Sequence, residues 1–180
     1  MTLSTAIRPE LPEGESEAQR FDRLLAANGP ALLRLASSYT NASSDRDDLF
    51  QDIAMALWQA LPRFRGECSE RTFLFRVAHN RAIDYLRRRR ALTTPLDETE
   101  AEPRDSRPNP ETGLAHEQQG RRLHQAIHRL PVTYRQIITL VLEEMSYSEI
   151  AEVLGVTETN VGVRLNRARQ LLRKLLEEGQ

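Results

Sequence analysis

Thr93–Gly113, TTPLDETEAEPRDSRPNPETG, is a stretch that no packed core can contain. It holds four of the chain's nine prolines, few apolar side chains and an excess of carboxylates, so folding it alone would not offset the entropy of ordering it. With Ala91 and Leu92 it reads as an acidic linker, 91–113. That break divides the 180 residues into a loose, polar tail over 1–17, a first body over 18–90 and a second over 114–178. Each body must bury its own small core.

Both bodies carry helical rather than strand periodicity, so the fold class is all-α: two small helical domains joined by the linker. Spaced apolar residues predict helices over Ser16–Asn28 and Pro30–Tyr39, interrupted at Gly29-Pro30. Ser44 with Asp47 three residues on resembles a capping arrangement for a helix over 45–61. Leu49, Ile53, Leu57 and Leu61 face inward there, while Asp48, Gln51, Asp52 and Met55 share a second, polar face. Pro62–Arg71 reads as a loop. Thr72 is placed to cap a helix reaching about Arg90, with Leu74, Val77, Ala78, Tyr85 and Leu86 inward and Arg76, Asn80, Asp84 and Arg87 opposite. Beyond the linker, helices are expected over Leu114–Arg129 and Thr133–Met145, with Pro131 in the first turn of the latter.

The formal net charge of −1 argues against a nucleic-acid binder until its distribution is seen. Residues 61–90 carry nine basic and three acidic groups and end in four successive arginines, whereas 1–60 and 91–117 are net acidic. Arginine supplies all but one of the 25 basic residues, Lys174 being the exception. Guanidinium suits bidentate contacts to phosphate and guanine, although a G+C-rich genome would produce the same bias.

The stretch SYSEIAEVLGVTETNVGVRLNRARQLLRKL, Ser146–Leu175, reads as two helices about a glycine. Tyr147–Leu154 forms the first and Gly155 turns the chain with positive φ. Ala151 leaves room for close approach, Val156 plugs the turn and Thr157 caps the second helix. Val161, Leu165, Ala168 and Leu172 face inward, which leaves Thr159, Val163, Asn166 and Arg167 outward. Those side-chain types suit thymine methyls, adenine edges and guanine edges in a major groove. Arg164, Arg169, Arg173 and Lys174 are placed for phosphates.

At these residues the chain resembles the extracytoplasmic-function group of bacterial sigma factors, the promoter-recognition subunits of RNA polymerase. LHQAIHRLPVTYRQIITLVLEEMSYSEIAEVLGVTETNVGVRLNRAR is similar to the group's region 4. DDLFQDIAMALWQALPRFRG and TFLFRVAHNRAIDYLRRR are similar to its region 2. The resemblance implies a region 2 body that binds core polymerase and the minus-ten element, and a region 4 helix-turn-helix body for the minus-thirty-five element. Asp48, Leu49, Gln51 and Asp52 would dock on core polymerase; the alternative is a plain solvated face. Arg76, Asn80, Arg81, Arg87 and Arg88 would approach the minus-ten element. The loop from Phe64 and Arg65 to Thr72 would capture a flipped base of the single-stranded non-template strand, with Phe64 either stacking on it or anchoring the core. Thr159, Val163, Arg164, Asn166, Arg167 and Arg169 would contact the minus-thirty-five duplex. The acidic linker would thread toward the polymerase cleft, or serve only as a spacer. An anti-sigma protein is implied as a further partner. Gly162 stands where many relatives carry a basic residue, and Met145 where a glycine often ends the preceding helix.

No catalytic cluster is evident, no metal site is expected, and no cofactor is implied. Cys68 has no close Cys or His and reads as an ordinary loop residue. His124 and His128, four residues apart, share a helix face with no third ligand nearby. A single cysteine excludes an internal disulfide, and neither a signal peptide nor an apolar run of about 20 residues is present, so a cytoplasmic protein without stable membrane insertion is expected. Two competing readings are a self-sufficient helix-turn-helix regulator that dimerises on duplex DNA, and an enzyme carrying an incidental DNA-like motif.

Overall fold

The structure is a computed structural model that describes residues 15–40, 42–92 and 114–178, and among these every regular element is helical. The expected linker lies outside the described residues apart from Ala91 and Leu92. The expected tail likewise lies outside apart from Glu15 to Glu17.

Helix α1 spans Glu17–Ser37. Ser16 opens it: its Oγ accepts from the Gln19 N–H at 3.2 Å, and Gln19 Oε1 accepts from the Ser16 N–H at 2.9 Å. Gly29-Pro30 does not interrupt it, against the sequence expectation. A proline ring ordinarily clashes with the Cβ of the residue before it, and Gly29 has none. The apolar stripe also continues across the proline, with Leu24 on one side and Ala31, Leu32, Leu35 and Ala36 buried on the other. That burial outweighs a cost of about 3 kcal/mol for an interior proline.

Helix α2 spans Ser43–Ala60 and runs into a 3-10 turn over Leu61–Arg63. Its N-cap is Ala42, with no side-chain cap, so the expected Ser44 and Asp47 arrangement does not form; Asp47 instead accepts from Arg46 at 2.9 Å. Leu49, Ile53, Leu57 and Leu61 are buried as the pattern predicts. Helix α3, Glu70–Leu92, is capped by Ser69 rather than Thr72: the Thr72 N–H donates to Ser69 Oγ at 3.0 Å, and Thr72 itself is buried. Its core face is Phe73, Leu74, Phe75, Ala78 and Ala82, whereas Val77, Tyr85 and Leu86 are only partly buried.

The second region holds α4 (Leu114–Arg129), α5 (Val132–Leu142), α6 (Tyr147–Leu154) and α7 (Glu158–Glu178). Pro131 is the N-cap of α5 rather than a first-turn residue. Helix α5 stops three residues earlier than its apolar pattern, because Glu144 adopts φ 59°. The Glu144 N–H then donates to Val141 O at 2.9 Å and the Met145 N–H to Leu140 O at 3.2 Å. This is a Schellman ending, with buried Met145 supplying its apolar contact. The left-handed position is therefore Glu144, one residue before the methionine singled out by sequence.

Two apolar clusters hold the chain. One contains Ile127, Leu130, Ile137, Ile138, Leu165 and Ala168. The other joins α1–α3 to Leu140, Met145, Ile150, Val153 and Val161. The regions thus share a core, with α6 lying against both α3 and α7.

Candidate nucleic-acid interface

The α6–α7 pair has the geometry its sequence predicts. Ser146 and Glu149 close a capping box at the start of α6, the Glu149 N–H donating to Ser146 Oγ at 3.3 Å and the Ser146 N–H to Glu149 Oε2 at 2.8 Å. Hydrogen bonds from Ser146 backbone and side chain hold the Glu149 carboxyl below the usual carboxylate value. Gly155 sits at φ 65°, and the Val156 N–H donates to Ala151 O at 3.0 Å. Thr157 Oγ1 accepts from the Asn160 N–H at 3.2 Å and caps α7. Val161, Leu165 and Ala168 are buried, so Thr159, Val163, Asn166, Arg167 and Arg169 are turned to solvent, with Arg164 half-buried. Among the described residues no carboxylate pairs with Arg164, Arg167 or Arg169. Gly162 faces Tyr147, whose Cε2 lies 3.8 Å from where a Cβ would stand. A small side chain fits there in ordinary contact.

On α3, Arg76, Arg81, Arg87 and Arg88 are engaged. Arg76 pairs with Glu152 of α6 at 3.3 Å and lies over the Phe73 ring. Arg81 and Arg88 both reach Asp52 of α2, at 3.4 and 3.1 Å, and Arg87 reaches Asp84 at 3.5 Å. Asn80 is exposed. In the preceding loop Arg65 is exposed, while Phe64 packs on Phe73 with centroids 4.5 Å apart. Gly66 has φ 73°, a turn that favours glycine.

On α2, Asp48 and Gln51 are exposed and continue into exposed Met55 and Trp58. Asp52 is half-buried between the α3 arginines. Leu49 is only 1% exposed and lies beneath this face, within the core. Two groups assigned to separate tasks, Asp52 and the pair Arg81 and Arg88, are thereby brought into one ion-pair cluster.

Contacts that no local pattern announces join the two regions. Glu143, at the end of α5, is buried and accepts from Arg34 Nε at 2.6 Å and Nη2 at 2.8 Å. Its carbonyl accepts from Arg71. Arg135 donates to Ser38 O at 3.1 Å, to Leu130 O at 3.0 Å and to His128 O, so one guanidinium satisfies carbonyls at the ends of α1 and α4. Thr72 Oγ1 donates to Glu149 Oε1 at 3.3 Å.

The remaining reactive side chains have structural settings. Burial, with Glu152 beside it, pushes the Cys68 thiol up to about 11, which keeps it protonated and a poor nucleophile. His124 and His128 share a hydrogen bond of 3.1 Å between their Nε2 atoms. Among the described residues no group of three or more His, Cys, Asp or Glu is arranged to hold a metal. No described helix is long and apolar enough to cross a membrane.

Comparison with known proteins follows the same division. Residues 24–92 match the family model for Sigma-70 region 2, and residues 120–172 that for Sigma-70, region 4. The RNA polymerase sigma factor NccH of Alcaligenes xylosoxydans xylosoxydans is 32% identical over 183 residues, 99% of this chain and 97% of that protein. The ECF RNA polymerase sigma factor SigM of Mycobacterium tuberculosis is 32% identical over 157 residues, 87% of this chain and 76% of that protein. The structure of CnrH in complex with the cytosolic domain of CnrY superimposes with a TM-score of 0.68 at 28% identity, covering 93% of this chain and 92% of that one. With two sigma regions matched in order and likeness over nearly its whole length to such a factor, the chain belongs to the ECF RNA polymerase sigma factors, which are transcription initiation factors and not enzymes.

Proposed function

We propose that the chain joins core RNA polymerase through the α2 face bearing Asp48, Gln51 and Asp52, with Leu49 supporting it from beneath. Helix α3 and the loop before it then take the melted minus-ten element, and α7 reads the minus-thirty-five duplex. The contrast between the arginines of the two helices carries this reading. Arg76, Arg81, Arg87 and Arg88 of α3 are paired with carboxylates, whereas Arg164, Arg167 and Arg169 of α7 find none among the described residues. A bare guanidinium row beside Thr159, Val163 and Asn166 offers phosphate contacts and base readout together. Asp52 serves polymerase docking indirectly, by holding Arg81 and Arg88 against α2. Work with polymerase places the protein in the cytoplasm. That CnrH is solved in complex with another protein, the cytosolic domain of CnrY, supports a protein partner for this chain beside polymerase, and we assign that place to an anti-sigma antagonist. A stand-alone dimeric regulator would bind its operator without polymerase. Run-off transcription with core enzyme tests the reading: Asp48→Arg with Gln51→Ala should abolish promoter-specific initiation while leaving the fold intact. Unchanged initiation by that double variant would overturn the docking assignment.

A further inference from the structure

The loop between the 3-10 turn and α3 is fastened at both ends to one side chain of α1. The Arg20 guanidinium carbon stands 5.2 Å from the centroid of the Phe64 ring, at the start of the loop. The same guanidinium bonds the Glu70 carboxylate just past its end, from Nε at 2.9 Å and Nη2 at 2.8 Å. Arg20 is buried, which is unusual for an arginine and signals a fixed position. Arg23 adds a second guanidinium to Glu70 at 3.1 Å and is itself held by Glu15 at 2.8 Å. Burial raises the affinity of Glu70 for a proton, but the two arginines outweigh it and leave the carboxyl below its usual value.

We infer that Arg20 is a positioning residue for the Phe64–Ser69 loop, setting the shape in which that loop receives an unpaired base of the non-template strand. The inference rests on the base-capture role proposed above for the loop. Phe64 is engaged by Arg20 and by Phe73, so it acts as an anchor, and the side chains left exposed along the loop are Arg65, Glu67 and Ser69. These are polar groups suited to the edge of a base. A loop with Gly66 in the left-handed region has several backbone shapes open to it, and fixing each residue costs conformational entropy. Closing both ends on one planar, buried fork removes most of that freedom before DNA arrives. The base is then selected by a preformed surface.

A purely structural Arg20 would, when replaced, lower initiation equally for every promoter base. A positioning Arg20 would lower discrimination among bases. The test uses holoenzyme assembled from core polymerase and the full chain, on forked promoter templates that carry each of the four bases in turn at the unpaired non-template positions. The readout is the ratio of open-complex yield between best and worst base. Arg20→Met keeps the apolar stem and removes the fork; it should reduce that ratio about fivefold or more, while affinity for a minus-thirty-five duplex is unchanged. Arg20→Lys, which restores the charge but not the plane, should recover part of it. Glu70→Gln, at a partly exposed helix start, should move the ratio the same way and serves if Arg20→Met fails to fold. The proposal is overturned if folded variants keep the wild-type ratio or lose yield equally on all four bases. A wild-type holoenzyme indifferent to the base would instead overturn the capture reading, and the proposal with it.

Discussion

Glu144 stands alone among the described residues as a non-glycine with positive φ. The left-handed region costs an L-residue roughly 1–2 kcal/mol, and a glycine there gives back up to about 1 kcal/mol through the freedom it gains when unfolded. Glu144→Gly should therefore stabilise the protein by about 0.5–1 kcal/mol, raising Tm by about 2 °C in calorimetry. An unchanged or lower Tm would mean that the Glu144 side chain makes a contact worth the strain. Two histidines set a second effect at this scale. Burial brings His79, hydrogen-bonded to Tyr39 at 3.0 Å, from an ordinary value of 6.5 to about 4. Burial, then the neighbouring His124 and Arg135, brings His128 likewise to about 4. Between those values the unfolded chain binds protons that the folded chain refuses, so stability is held above pH 6.5 and falls as the pH drops toward 4. Each histidine contributes at most about 1.4 kcal/mol per pH unit. Denaturant titrations across that window should show the slope, and His79→Leu should flatten it by about one proton. An unaltered slope would show that His79 is not held neutral.

Helix α6 is only eight residues long, too short to persist without its ends fixed and its face buried. Its two termini should therefore be sensitive to single changes. Ser146→Ala removes the capping box and should cost about 1 kcal/mol, and Gly155→Ala forces a Cβ into φ 65° and should cost about 1–2 kcal/mol. Both are measurable as shifts in urea midpoint at constant slope; a neutral Gly155→Ala would mean that the turn relaxes out of the left-handed region. The same short-range signals explain what the sequence made legible. Ser146, Gly155, Thr157 and the stripe Val161, Leu165 and Ala168 act within a few residues of themselves, so the bounds of α6 and the outward face of α7 could be read directly. The Gly29-Pro30 pair gave a local stop that the continuous buried stripe of α1 overrides. Thr72 looked like a cap because hydroxyls often are, but the neighbouring Ser69 reaches the free N–H and Thr72 is drawn inside. On α2 and α3 the polar faces were legible while their pairing was not. Asp52 meets Arg81 and Arg88 across 29 and 36 positions of sequence, and only the packing of two helices brings them together.

Taken as a whole, the molecule is closed on itself in a way its proposed work cannot tolerate. Helices α3 and α7 both pack against α6, so they lie within about 20 Å of each other, two interaxial spacings. Promoter elements centred 25 base pairs apart are separated by about 85 Å of B-form duplex. One chain can serve both only if the regions part, and the 21 residues between Leu92 and Leu114 have a covalent reach of about 70 Å. Parting must release Arg76 from Glu152, Thr72 from Glu149, Arg135 from Ser38, and Glu143 from Arg34 and Arg71. Glu143 is the most buried carboxylate of this set, whereas Arg34 is largely exposed and loses little on release. Glu143→Ala should accordingly weaken the closed arrangement by about 1–2 kcal/mol without unfolding either region. Small-angle scattering of the free protein should then report a larger radius of gyration for the variant. Raising the salt concentration should move the wild type in the same direction, since the Arg76–Glu152 pair is solvent-exposed and screened. Should Glu143→Ala leave the scattering curve unchanged, the shared apolar core of Met145, Ile150 and Val153 would be what holds the regions together, and core polymerase would have to supply the free energy of opening through its own contacts.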